Sequence, residues 1–276
     1  MLPAILCAIQ RSDCFVNRET EKQRNTQTGK PVDIYTGSDA LPETCPAFLP
    51  VSLSPCLPVY HIYTMQTYSH IIITAALNRL LKQKEERDGH LAIGQKPLPP
   101  LQQRAALIGS FMPDVPLTLA GIVFIAIDLI QGNAAGFESD PMQSWTGWLF
   151  DYAFFNVWWV KLLHNLFHAP LLIFLLMAIG YFAWKGGKGW GASCFWFATS
   201  CLLHTAIDIP LHHNDGPLVF FPLDWQTRFY SPVSYWDPKY YGVQFAIAEH
   251  ILILVLLLYL LAGWWRRRRE RLAAAA

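Results

Sequence analysis

CFWFATSCLLHTAIDIPLHHNDGPLVFFP, residues 194–222, is the stretch on which the reading of this chain turns. Its apolar run predicts a helix as far as His204, with Asp208 one turn later. Pro210 stops the helix, and the loop beyond carries His212, His213 and Asp215. Residues four apart share a helix face, with Cβ atoms about 5–6 Å apart, so His204 and Asp208 can reach one cation together. Divalent metals accept an imidazole and a carboxylate as a donor set. Ionisable groups at the end of a membrane-length apolar run are costly to keep there, which makes them functional candidates.

The rest of the chain fits a membrane setting. Of its 276 residues 53% are hydrophobic, 14% aromatic and only 15% charged, and the mean hydropathy is +0.24; charged residues make up about a quarter of a soluble domain. The formal net charge is +1. With no basic stripe interleaved with aromatics, nucleic acid is not an expected partner, whereas membrane lipids are. The cysteines (Cys7, Cys14, Cys45, Cys56, Cys194 and Cys201) include no CxxC pair, so neither a disulfide framework nor a zinc ribbon is supported. Cys194 and Cys201 read as small apolar helix residues.

Working outward, KGGKGWG (185–191) is a tight connection between a span over Ala169–Trp184 and one that crosses back over 190–209. Val243–Trp265 is the strongest span and is followed by Arg266–Arg269. Residues 104–130 are long enough to cross, with Pro113 and Pro116 breaking the first third and Asp114 at the break. The segment 145–163 is aromatic enough to sit at the headgroup level, crossing or half-crossing. Tyr68–Leu81 is short against the roughly 20 residues a bilayer core requires and reads as a buried or re-entrant helix. Asp128, three residues from a loop, is expected to snorkel. The expected fold is therefore all-α: a polytopic helical membrane protein with about four transmembrane helices and a His/Asp metal site near one membrane face. Residues 1–64 do not fit this pattern. They are polar without periodicity over 17–44 and Pro-rich after it, and read as a disordered extension or a misassigned start ahead of a helical membrane domain, 65–276.

Charge orients the spans. Lys185, Lys188 and the four-Arg run flank spans on one side, which the positive-inside rule places in the cytoplasm. His204 and Asp208 then lie toward the opposite face, and His168, Glu249 and His250 come out at the same level. If Asp114 joins them, the basic loop 82–104 falls on the site's side, against the charge bias.

His164 and His168, four apart in HNLFH, share a helix face and read either as ligands or as an interfacial pair; Asp114 reads as a ligand or a helix cap. No GxSxG elbow, phosphate loop, dinucleotide turn or HExxH motif is present. What remains is a His/Asp cluster drawn from several helices, the way bundle proteins hold metals.

The order of these pieces, SH at 69–70, PD in GSFMPDVPL, HNLFHAPLL, and HTAID followed by GPLVFFP, resembles the YdjM-type membrane-bound metal-dependent hydrolases and, more distantly, zinc-dependent phospholipase C folds. The resemblance covers roughly 65–230. It implies a metal role for His70, Asp114, His168, His204 and Asp208, a divalent cofactor such as zinc, and a multi-pass location in a bacterial inner membrane with a cytoplasmic C-terminus. A hydrolase of this kind would act on a lipid or phosphodiester substrate by metal-activated water, with His164 or Asp215 as proton carriers. The alternative is a non-catalytic metal- or haem-binding or transport protein, His168 and His204 being the axial pair in the haem case.

Overall fold

In lipid the backbone must satisfy its own hydrogen bonds, which helices do within one segment. The computed structural model, which describes residues 67–133 and 143–275, is accordingly mostly helical. The expectation for residues 1–64 lies outside the described residues. Helix α1 spans Thr67–Asp88 and is followed by a two-stranded hairpin, β1 Ala92–Ile93 against β2 Lys96–Pro97. Then come α2 (Gln103–Gly109), a 3-10 turn (Met112–Asp114) and α3 (Val115–Gln131). A helical stretch over 145–156, π-type in its middle, precedes α4 (Trp158–Asn165), α5 (Pro170–Lys185), α6 (Gly191–Asp208) and α7 (Gly242–Ala275).

Among the described residues, three helical segments are long and apolar enough to cross a membrane: Gln103–Gln131, Gly191–Leu211 and Gly242–Ala275. Helices α4 and α5 meet at 46° across a short break and together make a fourth candidate. One span and one boundary differ from those read in the sequence. Helix α5 lies within one residue of the span expected over Ala169–Trp184, but its 16 residues make only about 24 Å at 1.5 Å per residue, so it reaches a core about 30 Å thick only with α4. Helix α1 runs on through the charged KQKEERD to 22 residues, past the limit its apolar part suggested.

Prolines set the corners. Pro116 and Pro170 stand at the first positions of α3 and α5, and Pro210 in the turn that ends α6. Proline fits a helix start because its missing N–H would be unpaired there anyway. Asp114, His168 and Asp208 each lie within two residues of one of these corners.

Close backbone contact locks α6 between its neighbours. A Cβ on Gly180 of α5 would lie 2.5 Å from the backbone nitrogen of Phe195, and one on Gly109 of α2 would strike the backbone of Phe197. Small residues at such crossings give lipid-embedded helices their packing contact. Helix α1 runs antiparallel to α6, with His70 beside Asp208 at one end, and Leu81 and Trp196 lining one groove toward the other. It runs parallel to α7: the Tyr68 hydroxyl is 3.1 Å from His250 Nε2, and Arg79 Nη1 donates to the Tyr259 carbonyl at 2.7 Å.

These contacts remove the charge conflict. Trp196 donates to the Pro99 carbonyl at 3.1 Å and packs with Leu91, so the loop between α1 and α2 lies toward the N-terminal end of α6, where Lys185 and Lys188 are. Helix α2 then runs parallel to α6 and carries the chain back to Asp114. The arginines past Gly263 of α7 extend toward the same end, beyond the level where Arg79 meets Tyr259. His204 is thirteen residues up α6 from Gly191, about 20 Å away.

Asp128 does not snorkel. It has no exposed surface; its carboxylate accepts from the backbone N–H groups of Trp145 and Thr146, both at 2.8 Å, and from the Thr146 hydroxyl at 2.5 Å. It thereby satisfies the unpaired N–H groups at the start of the 145–156 stretch.

Candidate metal centre

Four side-chain atoms from three places in the fold converge, the 3-10 turn before α3, the α4–α5 break and the end of α6. His204 Nε2 lies 3.0 Å from Asp208 Oδ2 and 3.3 Å from Asp114 Oδ1; His168 Nε2 lies 3.4 Å and 3.6 Å from the same two oxygens. The two Nε2 atoms are 3.2 Å apart. All ligand atoms of this group lie within 4.8 Å of one another. Apart from Asp114, whose side chain is 27% exposed, the group is buried.

The outer contacts fix which atoms face inward. His204 Nδ1 is 2.8 Å from the Ser110 carbonyl, and His168 Nδ1 is 2.8 Å from the His164 carbonyl. A carbonyl only accepts, so each Nδ1 carries a proton, and in the neutral ring each Nε2 then presents a lone pair to the group. The Thr67 hydroxyl donates to Asp114 Oδ2 at 2.6 Å, leaving Oδ1 to the group. Two imidazole lone pairs and two carboxylate oxygens thus meet with no donor among them. Acceptors do not gather in a buried space without a cation, supplied either as protons or as a metal. A tetrahedron with edges of about 3.3 Å has its centre about 2.0 Å from each corner, the length of Zn–N and Zn–O bonds. Carbonyl-oriented imidazoles are the usual second shell of metal-bound histidine. The donor set fits a divalent ion.

Of the remaining residues singled out in the sequence, His70 lies one step out. Its Nε2 is 3.2 Å from Asp208 Oδ1, and its ring stacks on His204 at 3.7 Å between centroids. It braces the carboxylate from behind. His164 is buried between Phe154 and His168, at 4.8 and 4.6 Å between ring centroids, with its Nε2 unpartnered. Asp215 sits in the loop that follows α6, where Trp236 Nε1 donates to its Oδ2 at 2.9 Å. Its Oδ1 is 3.2 Å from His212 Nδ1, at ion-pair distance but without hydrogen-bond alignment. Burial pushes the His212 pKa down, but the Asp215 carboxylate outweighs it and leaves His212 raised. Burial likewise pushes Asp215 up, and His212 reverses that to leave it lowered.

Sequence reading passed over three neighbours. Thr67 is the first residue of α1. Tyr235 is held as the neutral phenol, burial first and then Asp215 raising its pKa well above 10. Arg228 is one of two basic residues in the loop 210–242, a signal that went unused.

No family model, no curated protein and no solved structure matches the chain. The site is read from its own geometry.

Proposed function

We propose that the protein is a membrane-embedded, metal-dependent hydrolase whose ion, most simply zinc, is held by Asp114, His168, His204 and Asp208. The observation that carries the reading is the convergence of four acceptors, 3.0–3.6 Å apart in five of their six pairings, with both imidazoles oriented from behind by carbonyls. A divalent ion in such a place supplies Lewis-acid activation of water and of the scissile group. The protein's own groups divide the remaining work. Asp114 is the ligand nearest solvent, so its side marks the approach for substrate. His164, unpartnered at Nε2 and in ring contact with His168, is positioned to pass a proton. His70 and Thr67 hold the two carboxylates. The resemblance to the YdjM-type enzymes supports the same reading, and with it a lipid or phosphodiester substrate. The gathering of basic loops at the end away from the site supports a cytoplasmic C-terminus in a bacterial inner membrane.

One observation favours a second reading, a non-catalytic metal-binding or transport protein: the chain brings four donors together, the number structural zinc sites use, whereas catalytic sites keep a position open. Haem ligation gains no support, because axial imidazoles lie on opposite faces of the macrocycle, about 4 Å apart at metal–nitrogen bond lengths of about 2 Å, and the gap here is 3.2 Å. Cobalt substitution separates the readings. A hydrolase is expected to show a visible spectrum that changes when a phosphodiester or its product is added. A tetrahedral spectrum indifferent to every such addition, with no turnover, would establish the binding protein instead.

A further inference from the structure

Arg228 is a partly buried charge that this site leaves unexplained. Its guanidinium lies 4.7 Å from the centre of the Phe154 ring and 5.5 Å from that of Phe155. The same Phe154 ring is 4.8 Å from His164, whose ring is 4.6 Å from the ligand His168. Arg228 is therefore joined to the metal centre through two rings in contact. Its Nη1 donates to the Gly216 carbonyl, while its Nη2 is buried with no partner. Among the described residues no carboxylate lies within ion-pair distance of it. The nearest influence is Asp215, which already serves Trp236 and His212.

An unpaired charge out of water is expensive unless something pairs it. A guanidinium also stays protonated where lysine or histidine would give up the proton; burial lowers this one only to about 10. The neighbouring centre would not supply the missing charge, since a divalent ion held there would balance Asp114 and Asp208. Next to it, His164 Nε2 is a second buried polar atom without a partner. Two unpartnered polar atoms thus flank one aromatic ring beside the candidate metal centre. We propose that Arg228, with His164 beside it, is the recognition point for an anionic phosphate-type group on the substrate, so that the protein takes phosphate esters rather than neutral esters or amides. The planar fork of arginine matches phosphate oxygens and gives charge-assisted hydrogen bonds. This rests on the metal centre described above, and adds the class of substrate that centre serves.

The test uses the full chain purified in detergent, with metal content and ligand response measured separately. Inorganic phosphate, dioleoyl phosphatidate in mixed micelles and the phosphate-free dioleoylglycerol in the same micelles are titrated against the thermal unfolding of wild type, Arg228→Met and Arg228→Lys. Wild type is expected to be stabilised saturably by phosphate or phosphatidate and not by dioleoylglycerol. Arg228→Met should keep its metal and bind about 10- to 100-fold more weakly, the weight of one or two hydrogen bonds to a charged group. Arg228→Lys should recover part of the response and keeps the test valid if the methionine variant does not fold. Response to phosphatidate alone assigns the anion to a lipid headgroup, and response to phosphate alone to a soluble ester; both uphold the subsite. A metal-loaded wild type indifferent to both anions, or an Arg228→Met that responds like wild type, overturns it. Wild type that holds no metal yet responds through Arg228 would sink the metal reading and leave the anion site standing.

Discussion

Replacing Asp208 with asparagine tests the centre at its most connected point. Asp208 Oδ2 meets His204 and His168 at 3.0 and 3.4 Å, and Oδ1 meets His70 at 3.2 Å. Asparagine keeps the volume and one acceptor oxygen, so packing is preserved while the charge is lost. Structural zinc sites bind with about 10–16 kcal/mol; shared over four donors this is about 3–4 kcal/mol each. At about 1.4 kcal/mol per factor of ten, Asp208→Asn should weaken metal binding by roughly two to three orders of magnitude. Wild type, Asp208→Asn and His204→Ala would be dialysed against graded chelator and submitted to elemental analysis, with circular dichroism to confirm the helical fold. Wild type should hold close to one ion per chain. Both variants should release theirs at far lower chelator strength. If both retain metal as tightly as wild type, the four atoms are not ligands and the reasoning fails.

Thr67→Val removes the 2.6 Å hydrogen bond behind Asp114. It should weaken metal affinity about 10-fold, the lower end for losing a group that holds a ligand in place, by chelator competition; an unchanged affinity would show that Asp114 is not held from outside. Asp128→Asn should leave metal content untouched but lower stability by about 1–3 kcal/mol, since four donors reach that carboxylate. Thermal unfolding reads it, and metal loss in this variant would contradict the separation of the two sites. The loop after α6 should be tightest in mild acid. His212, raised in the fold, contributes fully below about pH 6.5 and fades as pH climbs through its raised value. Asp215, lowered in the fold, contributes above about pH 3.9 and fails as pH falls through its lowered value. Limited proteolysis of the loop should therefore quicken from pH 5.5 to pH 8.5 in wild type, with the trend flattened in His212→Gln. Equal pH trends in the two proteins would refute the pairing.

The residues that revealed most in the sequence were those with a local rule behind them. His204 and Asp208 could be paired because helical spacing alone puts them on one face. Placing His168 at their level required only the charge bias of the loops. Asp114 was harder: its position at a proline break was visible, but the parallel run of α2 beside α6, which carries it to the site, depends on the backbone contact at Gly109 and has no sequence period. His70 was visible as an isolated imidazole, yet its place behind Asp208 is a matter of how α1 crosses α6. Asp128 was misread because its partners, Trp145 and Thr146, lie across a loop and no spacing rule joins them. Arg228 left the faintest trace, since a single arginine in an aromatic loop shows its meaning only once its surroundings are seen to lack a counter-charge.

The order of the donors along the chain bears on how the protein is built. Asp114 enters the bilayer with the Gln103–Gln131 segment and His168 at the α4–α5 corner, while His204, 36 residues later, arrives with Asp208 on a single turn of α6. Half of the coordination sphere is thus delivered at once, near the end of insertion. A nascent chain that has not yet placed α6 has two polar corners exposed in the membrane and nothing to bind them. On the proposed metal reading, an ion would be held only once α6 has turned back against α1, α2 and α5, so its capture would be a late step of assembly. Until then the same acid and imidazole groups would stand without a common partner.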